Sequence, residues 1–315
     1  MELIDFSNCK TSLRVYGGSA GRKNGIIFND KNFLLKFPGS TSGMQNVEIS
    51  YTNSPLCEFI GSHIYDFFGI PCHKTMLGKK DGKLVVACED FLADSDHLYE
   101  FAQLKVTFTP HFVDSNGEIT NGTGTDLKEI LLTIEQHDFL QNMRDVKERF
   151  WDMFVIDAFI GNPDRNNGNW GIILHSDKTF SLAPVYDNGN SFNNKWDDEK
   201  MKKVLSDSDL LKKECYEAKT CVFTLHGKRI NPYHIIQNME YTDCNAAMLR
   251  LVPKMKMKMQ KIKSFITELP ENFGDLQVIS KMQKEFFLRV LDYRFNNFFI
   301  PIYNSLENTT TTGAN

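Results

Sequence analysis

The spacing of apolar and polar positions changes period several times along the chain. Residues 11–37 read as short strands joined by turns. Val15-Tyr16 leads into a glycine-rich turn, Gly17-Gly18-Ser19-Ala20-Gly21-Arg22-Lys23. Ile26-Ile27-Phe28 and Phe33-Leu34-Leu35-Lys36-Phe37 then flank a polar turn at 29–32, which predicts a hairpin, and Pro38-Gly39 ends it. Apolar residues at Leu56, Ile60, Ile64 and Phe67 recur with a helical period after Ser54-Pro55, a cap and first-turn pair, and Gly69 supplies the stop. Leu84–Cys88 is a β-rich run. Residues 113–126 form a polar loop, and 127–160 read as helical up to the break at Gly161-Asn162-Pro163. Trp170–Leu174 and Thr179–Ala183 flank a His-Ser-Asp-Lys turn and predict a second hairpin. From about 200 to 306 the pattern is mostly helical, and the polar residues 307–315 predict a disordered tail. The chain thus divides into a strand-rich part, 1–92, and a mainly helical part, 93–306, an α+β organisation without an internal repeat.

Composition narrows the function classes. Of 315 residues, 41% are hydrophobic and 24% charged, which fits a globular chain with a sizeable core and room for two domains. The net charge of −4 supplies no field for general nucleic-acid binding. No apolar stretch has the length of a membrane helix, and MELIDFSNCK does not read as a signal peptide, so a cytoplasmic protein is expected. The seven cysteines contain no CxxC pair, and the eight histidines, His63 and His73 among them, show no metal-ligand spacing. Neither a disulfide framework nor a zinc site is expected.

The densest chemistry lies in Gly161-Asn162-Pro163-Asp164-Arg165-Asn166-Asn167-Gly168-Asn169 and in Asp187-Asn188-Gly189. Either cluster alone is what a turn uses. Together they have the order Asp, four residues, Asn, hairpin, Asp-x-Gly, which is the phosphotransfer layout of protein kinases. That reaction needs a carboxylate to orient a hydroxyl and accept its proton, and hard oxygen ligands to hold magnesium on phosphates. Asp164 suits the first task; Asn169 and Asp187 suit the second. The hairpin lets loop and carboxylate converge.

The strand-rich part supplies further candidates. Backbone N–H groups of Gly17, Gly18, Ser19, Ala20 and Gly21 can approach phosphates. Lys36 stands on the following strand, where a kinase lysine meets the α- and β-phosphates of ATP, and Glu58 stands on the next helix, suited to pair with it. Taken singly these are a hairpin turn, a strand lysine and a surface glutamate; their order is what carries weight. Glu89-Asp90-Phe91-Leu92 falls at the junction of the two parts, where backbone groups of Glu89 and Phe91 can meet an adenine edge. Ser19 is either an autophosphorylation site or a small residue chosen for the turn.

On GGSAGRK (17–23), LLKFP (34–38), SYTNSPLCEFIGSHI (50–64), LVVACEDF (84–91), FWDMFVIDAFIGNPDRNNGNWG (150–171) and APVYDNGNS (183–191) the sequence resembles the HipA-like protein kinases, in particular their compact branch. The resemblance implies a bilobal protein-kinase-like fold, ATP and Mg²⁺, phosphorylation of a Ser or Thr of a protein substrate, and autophosphorylation. It implies the roles given above for Lys36, Glu58, Asp164, Asn169 and Asp187. Longer relatives act as toxins with a DNA-binding antitoxin. On this resemblance the chain is expected to lack their extra N-terminal subdomain, which counts against an antitoxin-like partner. The resemblance also allows export into a host cell without a signal peptide. Asn166 departs from the family, whose loop often has His there; Asn also donates and accepts, so altered but retained activity is expected.

The alternating stretch Lys254–Met259, with Lys261 and Lys263, reads as a solvated helix face rather than a targeting patch. Two other functions remain open on these residues: a small-molecule or lipid kinase on the same scaffold, and a nucleotide-binding pseudokinase that serves as an interaction module.

Overall fold

The structure is a computed structural model that describes residues 3–14, 16, 22–108, 122–143 and 145–312, with the backbone alone at 310–312. Val15, the glycine turn Gly17-Gly18-Ser19-Ala20-Gly21 and residues 113–121 of the polar loop lie outside the described residues. The fold is mixed α+β and forms two compact units. The first comprises Met1–Phe91, Asp187–Glu214 and Lys256–Tyr293; the second comprises Leu92–Tyr186, Cys215–Met255 and Arg294–Asn315. The sequence pattern assigns everything after 92 to one part, whereas two later segments belong with the first unit.

In the first unit, β1 (Ile4–Asp5), β2 (Lys10–Thr11), β3 (Lys23–Phe28), β4 (Lys31–Lys36), β5 (Thr75–Lys80) and β6 (Lys83–Glu89) form one sheet in the order β1-β5-β6-β4-β3-β2. Only β1–β5 is parallel. The β3–β4 turn is tighter than the four residues expected: Asn29 and Asp30 alone make it, at φ 48° and 58°. Both residues tolerate the left-handed region, and such a turn matches the twist of the strands. Asp81-Gly82 repeats the device between β5 and β6, at φ 52° and 68°.

Strand alternation sorts the side chains. Phe33, Leu35, Phe37, Val85 and Ala87 join Phe6 and Ile26 in one apolar cluster. Lys36, opposite Val86, and Cys88, opposite Leu34, take the alternate positions. Helix α1 (Ser54–Phe67) packs on β5 and β6. Its cap falls at Asn53, one residue before the expected Ser54, because Pro55 already occupies the first turn. The later segments join this unit through aromatic contacts: Phe265 with Phe59, Phe192 with Phe287 and Trp196 with Phe286, ring centroids 5.7, 4.9 and 5.5 Å apart.

In the second unit, β7 (His97–Glu100) runs into α2 (Phe101–Phe108), and α3 (Leu127–Gln136) and α4 (Val146–Ile160) follow. The helical pattern over 127–160 is therefore two helices. The chain leaves α3 at His137, whose ring holds the bend by accepting from Phe139 N–H at 3.2 Å and meeting Thr107 Oγ1 at 2.9 Å. Helix α4 is buried on almost every side, so its apolar run has no stripe. The expected hairpin is β8 (Gly171–Leu174) with β9 (Phe180–Leu182), and β7 adds a third strand beside β8.

The remaining helices are α5 (Asp198–Leu205), α6 (Ser208–Lys212), α7 (Pro232–Asn238), α8 (Thr242–Thr267), α9 (Lys281–Arg294) and α10 (Ile300–Thr312). The expected tail from 307 is helical as far as Thr312. On this helix Ser305 Oγ donates to Pro301 O and Thr309 Oγ1 to Ser305 O, one turn back. Among the described residues, no helix is long and apolar enough to cross a membrane.

Candidate active site

Lys36, Glu58 and Asp187, far apart in sequence, meet in the first unit. Lys36 Nζ donates to Glu58 Oε2 at 3.0 Å and to Asp187 Oδ1 at 2.6 Å. Glu58 is only 1% exposed. Its other oxygen, Oε1, accepts from His73 Nε2 and from the backbone N–H of Asn188, both at 2.9 Å. Ser62 Oγ ties the rear of the network together, accepting from Asn188 Nδ2 at 3.0 Å and lying 3.1 Å from His73 Nε2. Burial pushes the Lys36 ammonium down, but Glu58 and Asp187 outweigh it and hold the lysine charged well above its ordinary value. Burial likewise pushes Glu58 up, and Lys36, His73 and the Asn188 N–H together hold it below the usual carboxylate range.

The Asp-Asn-Gly segment follows from this geometry. Asp187 adopts φ 63°, a left-handed conformation that aspartate tolerates better than most residues. Gly189 is there for space. A Cβ at that position would stand 3.1 Å from Glu58 Oε2 and 3.3 Å from Ser54 O, so a side chain would displace the carboxylate that holds Lys36.

Asp164 and Asn169 meet in the second unit, on the loop that α4 launches. Gly161 ends the helix at φ 70°. Asn169 Nδ2 donates to Asp164 O at 2.7 Å, which leaves Oδ1, a hard oxygen of the kind magnesium takes, as the uncommitted atom of that amide among the described residues. Asn166 Nδ2 donates to Asp164 Oδ1 at 3.2 Å, and its Oδ1 accepts from Gly168 N–H at 2.9 Å. Asn166 thus touches the carboxylate directly.

The loop rests on an arginine that its pattern did not single out. Arg165 is buried and forks onto Asp157 of α4, Nε to Oδ2 at 2.8 Å and Nη2 to Oδ1 at 3.0 Å. Its Nη1 donates to Asn169 O at 2.9 Å and to Tyr186 O, the residue before Asp187. One guanidinium therefore holds both ends of the Asp164–Asn169 loop. The available signal was Asp157 itself: an acid inside the apolar run of α4 must find a partner. His73 and Asn188 were missed as partners of Glu58, and no spacing signals either.

Glu89 closes β6, with its N–H bonded to Lys74 O at 2.8 Å and its carboxylate paired with Lys31 at 2.6 Å. Asp90 N–H goes to Asn32 O at 2.9 Å, and its Oδ2 accepts from Arg14 Nη1 at 2.9 Å and Tyr16 Oη at 3.1 Å. Phe91 is half-buried. The amides of Glu89 and Asp90 are therefore committed to the sheet.

Comparison with known proteins gives the family. The serine/threonine-protein kinase CtkA of Helicobacter pylori (strain J99) is 34% identical over 297 residues, covering 93% of this chain and 86% of that protein. The crystal structure of a Helicobacter pylori proinflammatory kinase CtkA superposes with a TM-score of 0.87 at 31% identity, covering 98% of this chain and 99% of that one. HipA of Shewanella oneidensis MR-1, in a toxin–antitoxin complex with HipB and operator DNA, matches with a TM-score of 0.57 at 14% identity, over 96% of this chain and 70% of that one, and shows the fold alone. The model of the HipA-like C-terminal domain matches residues 10–264. By this family match and by its likeness to CtkA over nearly the whole chain, the protein belongs to the HipA-like kinase family.

Proposed function

We propose that this kinase uses Mg·ATP to phosphorylate Ser or Thr of a protein substrate, itself included. The observation that carries the reading is the Lys36–Glu58–Asp187 network, at 3.0 and 2.6 Å, which joins a buried glutamate, a part-buried lysine and a half-exposed aspartate, the charged residues that phosphotransfer requires. Glu58, fixed by His73 and Asn188, presents the Lys36 ammonium to the α- and β-phosphates. Asn169 and Asp187 offer the hard oxygens that suit magnesium, which supplies charge neutralisation on the phosphates when bound. Asp164 orients the acceptor hydroxyl and takes its proton as the hydroxyl oxygen bonds to the γ-phosphorus and the bond from that phosphorus to the departing ADP oxygen breaks. Asn166 steadies that carboxylate in place of the family's usual histidine. The adenine edge meets the carbonyl of Glu89 and the backbone of Phe91, with the glycine turn 17–21 on the phosphates.

The test is transfer from radiolabelled ATP by the purified protein, alone and with lysate. Self-labelling or labelled protein bands, dependent on magnesium, support the reading. Labelled small molecules or lipids only would point to the alternative acceptors. Nucleotide binding without any transfer would make the chain a pseudokinase.

A further inference from the structure

Cysteine and histidine spacing gives no hint of a zinc site, yet the fold brings three candidate ligand side chains together beside Lys36. Glu58 of α1, His73 before β5 and Cys88 of β6 offer a carboxylate oxygen, an imidazole nitrogen and a thiol sulfur that all lie within 4.8 Å of one another. All three side chains are buried. Two elements of regular structure and the short segment leading into β5 hold them, all in the first unit. In a tetrahedral site with ordinary zinc–ligand bonds the donor atoms stand about 3.3–3.8 Å apart, so the three need only small adjustments to close on one ion.

We propose that Glu58, His73 and Cys88 form a site for a borderline-soft divalent cation of the zinc class, and that its occupancy switches the kinase off by taking Glu58 from Lys36. The ligand set selects the ion: a thiol and an imidazole favour zinc over magnesium. Charge also balances. Without the ion, Glu58 and Asp187 both face Lys36, and burial keeps the Cys88 thiol protonated. As the ion enters, the Cys88 thiol loses its proton to solvent and the S–metal bond forms. His73 exchanges its Nε2 proton for one on Nδ1 and coordinates through Nε2. The dication then faces the two negative charges of Glu58 and Cys88, and Lys36 keeps Asp187 as its counter-ion. The cluster of Lys36, Glu58, Asp187, His73 and Cys88 thereby passes from one net negative charge to neutral, which offsets the cost of burying a dication there. The occupied state has lost the Lys36–Glu58 pair and leaves Asp187 committed to Lys36.

The inhibitory half of this inference rests on the kinase reading; the binding half does not. Binding is read with Co²⁺ on the full chain. A thiolate-to-cobalt absorption band is expected in the wild type, retained in Cys72→Ser and lost in Cys88→Ser. X-ray absorption of the zinc-loaded wild type, which needs no variant, should find one sulfur and nitrogen or oxygen in the first shell. Inhibition is read as transfer from ATP with magnesium in excess: Zn²⁺ should inhibit the wild type and require at least tenfold more metal for Cys88→Ser. A wild type with no thiolate band and no sulfur in the zinc shell overturns the site. A band that survives in Cys88→Ser overturns the assignment of the ligand. Equal zinc sensitivity in both proteins, relieved by more magnesium, places the inhibition at the magnesium ligands and overturns the switch.

Discussion

The two groups of candidate residues are held in opposite ways. Around Lys36 the partners come from distant places, 22 residues away for Glu58 and 151 for Asp187, and each charge is met by another charge. Around Asp164, Asn166 and Asn169 reach across only two and five residues, through neutral amides. The loop's own ion pair, Arg165 with Asp157, lies beneath it and is buried. The first group is knit by ion pairs, one cation between two carboxylates, and on the proposed function it must exchange partners to take phosphates and metal. The second is already set in a rigid frame. Work on the loop should therefore disturb transfer without disturbing nucleotide binding, and work on the Lys36 network should disturb both.

The most severe test of that contrast is Asp164→Asn, which keeps the shape and removes the basicity. Transfer should fall by about 10²–10⁴-fold. Mg·ATP affinity by calorimetry should stay near that of the wild type. Near-normal transfer would reduce the loop to a turn. Next comes Lys36→Met, which leaves Glu58 buried without its cation. It should cost about 3–5 kcal/mol of stability in denaturant unfolding and weaken Mg·ATP as well. Unchanged stability and affinity would show that the network is not the anchor described. Arg165→Lys keeps a charge but cannot fork onto Asp157. A loss of about 1.5–3 kcal/mol in stability with reduced turnover is expected, and full activity at wild-type stability would end the idea of a frame under the loop.

A smaller effect is expected from acid. Glu58 is held below the usual carboxylate range, so it contributes stability that is complete above that range and lost as pH falls through and below it. Glu58→Gln should flatten the acid limb of a stability–pH curve; an unaltered limb would assign acid unfolding to other groups. The mildest change is Asn166→His. It exchanges one hydrogen-bond donor for another beside Asp164, worth about three- to tenfold in turnover in either direction. A collapse of activity would mean that the bond from Asn166 to Gly168 N–H matters more than the family's usual residue.

What the sequence made legible follows the same division. The β3–β4 hairpin, α1 and the β8–β9 hairpin carry their own periodicity and turn residues, so they were readable from pattern. The loop residues Asp164 and Asn169 were readable because a short loop keeps its chemistry together. Lys36 and Glu58 were readable only through the order in which phosphotransfer needs them. Strands β1, β2, β5 and β7 were not foreseen. The first two are two residues long, β5 carries Gly78-Lys79-Lys80 where an alternating pattern would end, and β7 gains its definition from pairing with β8. His73 and Arg165 escaped for a related reason: each acquires its meaning from a partner that only the folded chain supplies.

The C-terminal cap of α4 has a consequence for the order of synthesis. Arg294 is fully buried and donates from Nη1 to Phe159 O at 3.0 Å, across 135 residues, while its Nε takes Cys215 O at 3.0 Å. Its guanidinium occupies the space that a side chain at Gly161 would fill, 2.8 Å from a Cβ there. The helix end that launches the Asp164 loop is thus finished by a residue made long after it. A chain still emerging from the ribosome carries every residue assigned to phosphate transfer well before it can secure that loop. The platform of the loop is complete only once Arg294 has been made, and a chain stopped before 294 would carry those groups without it.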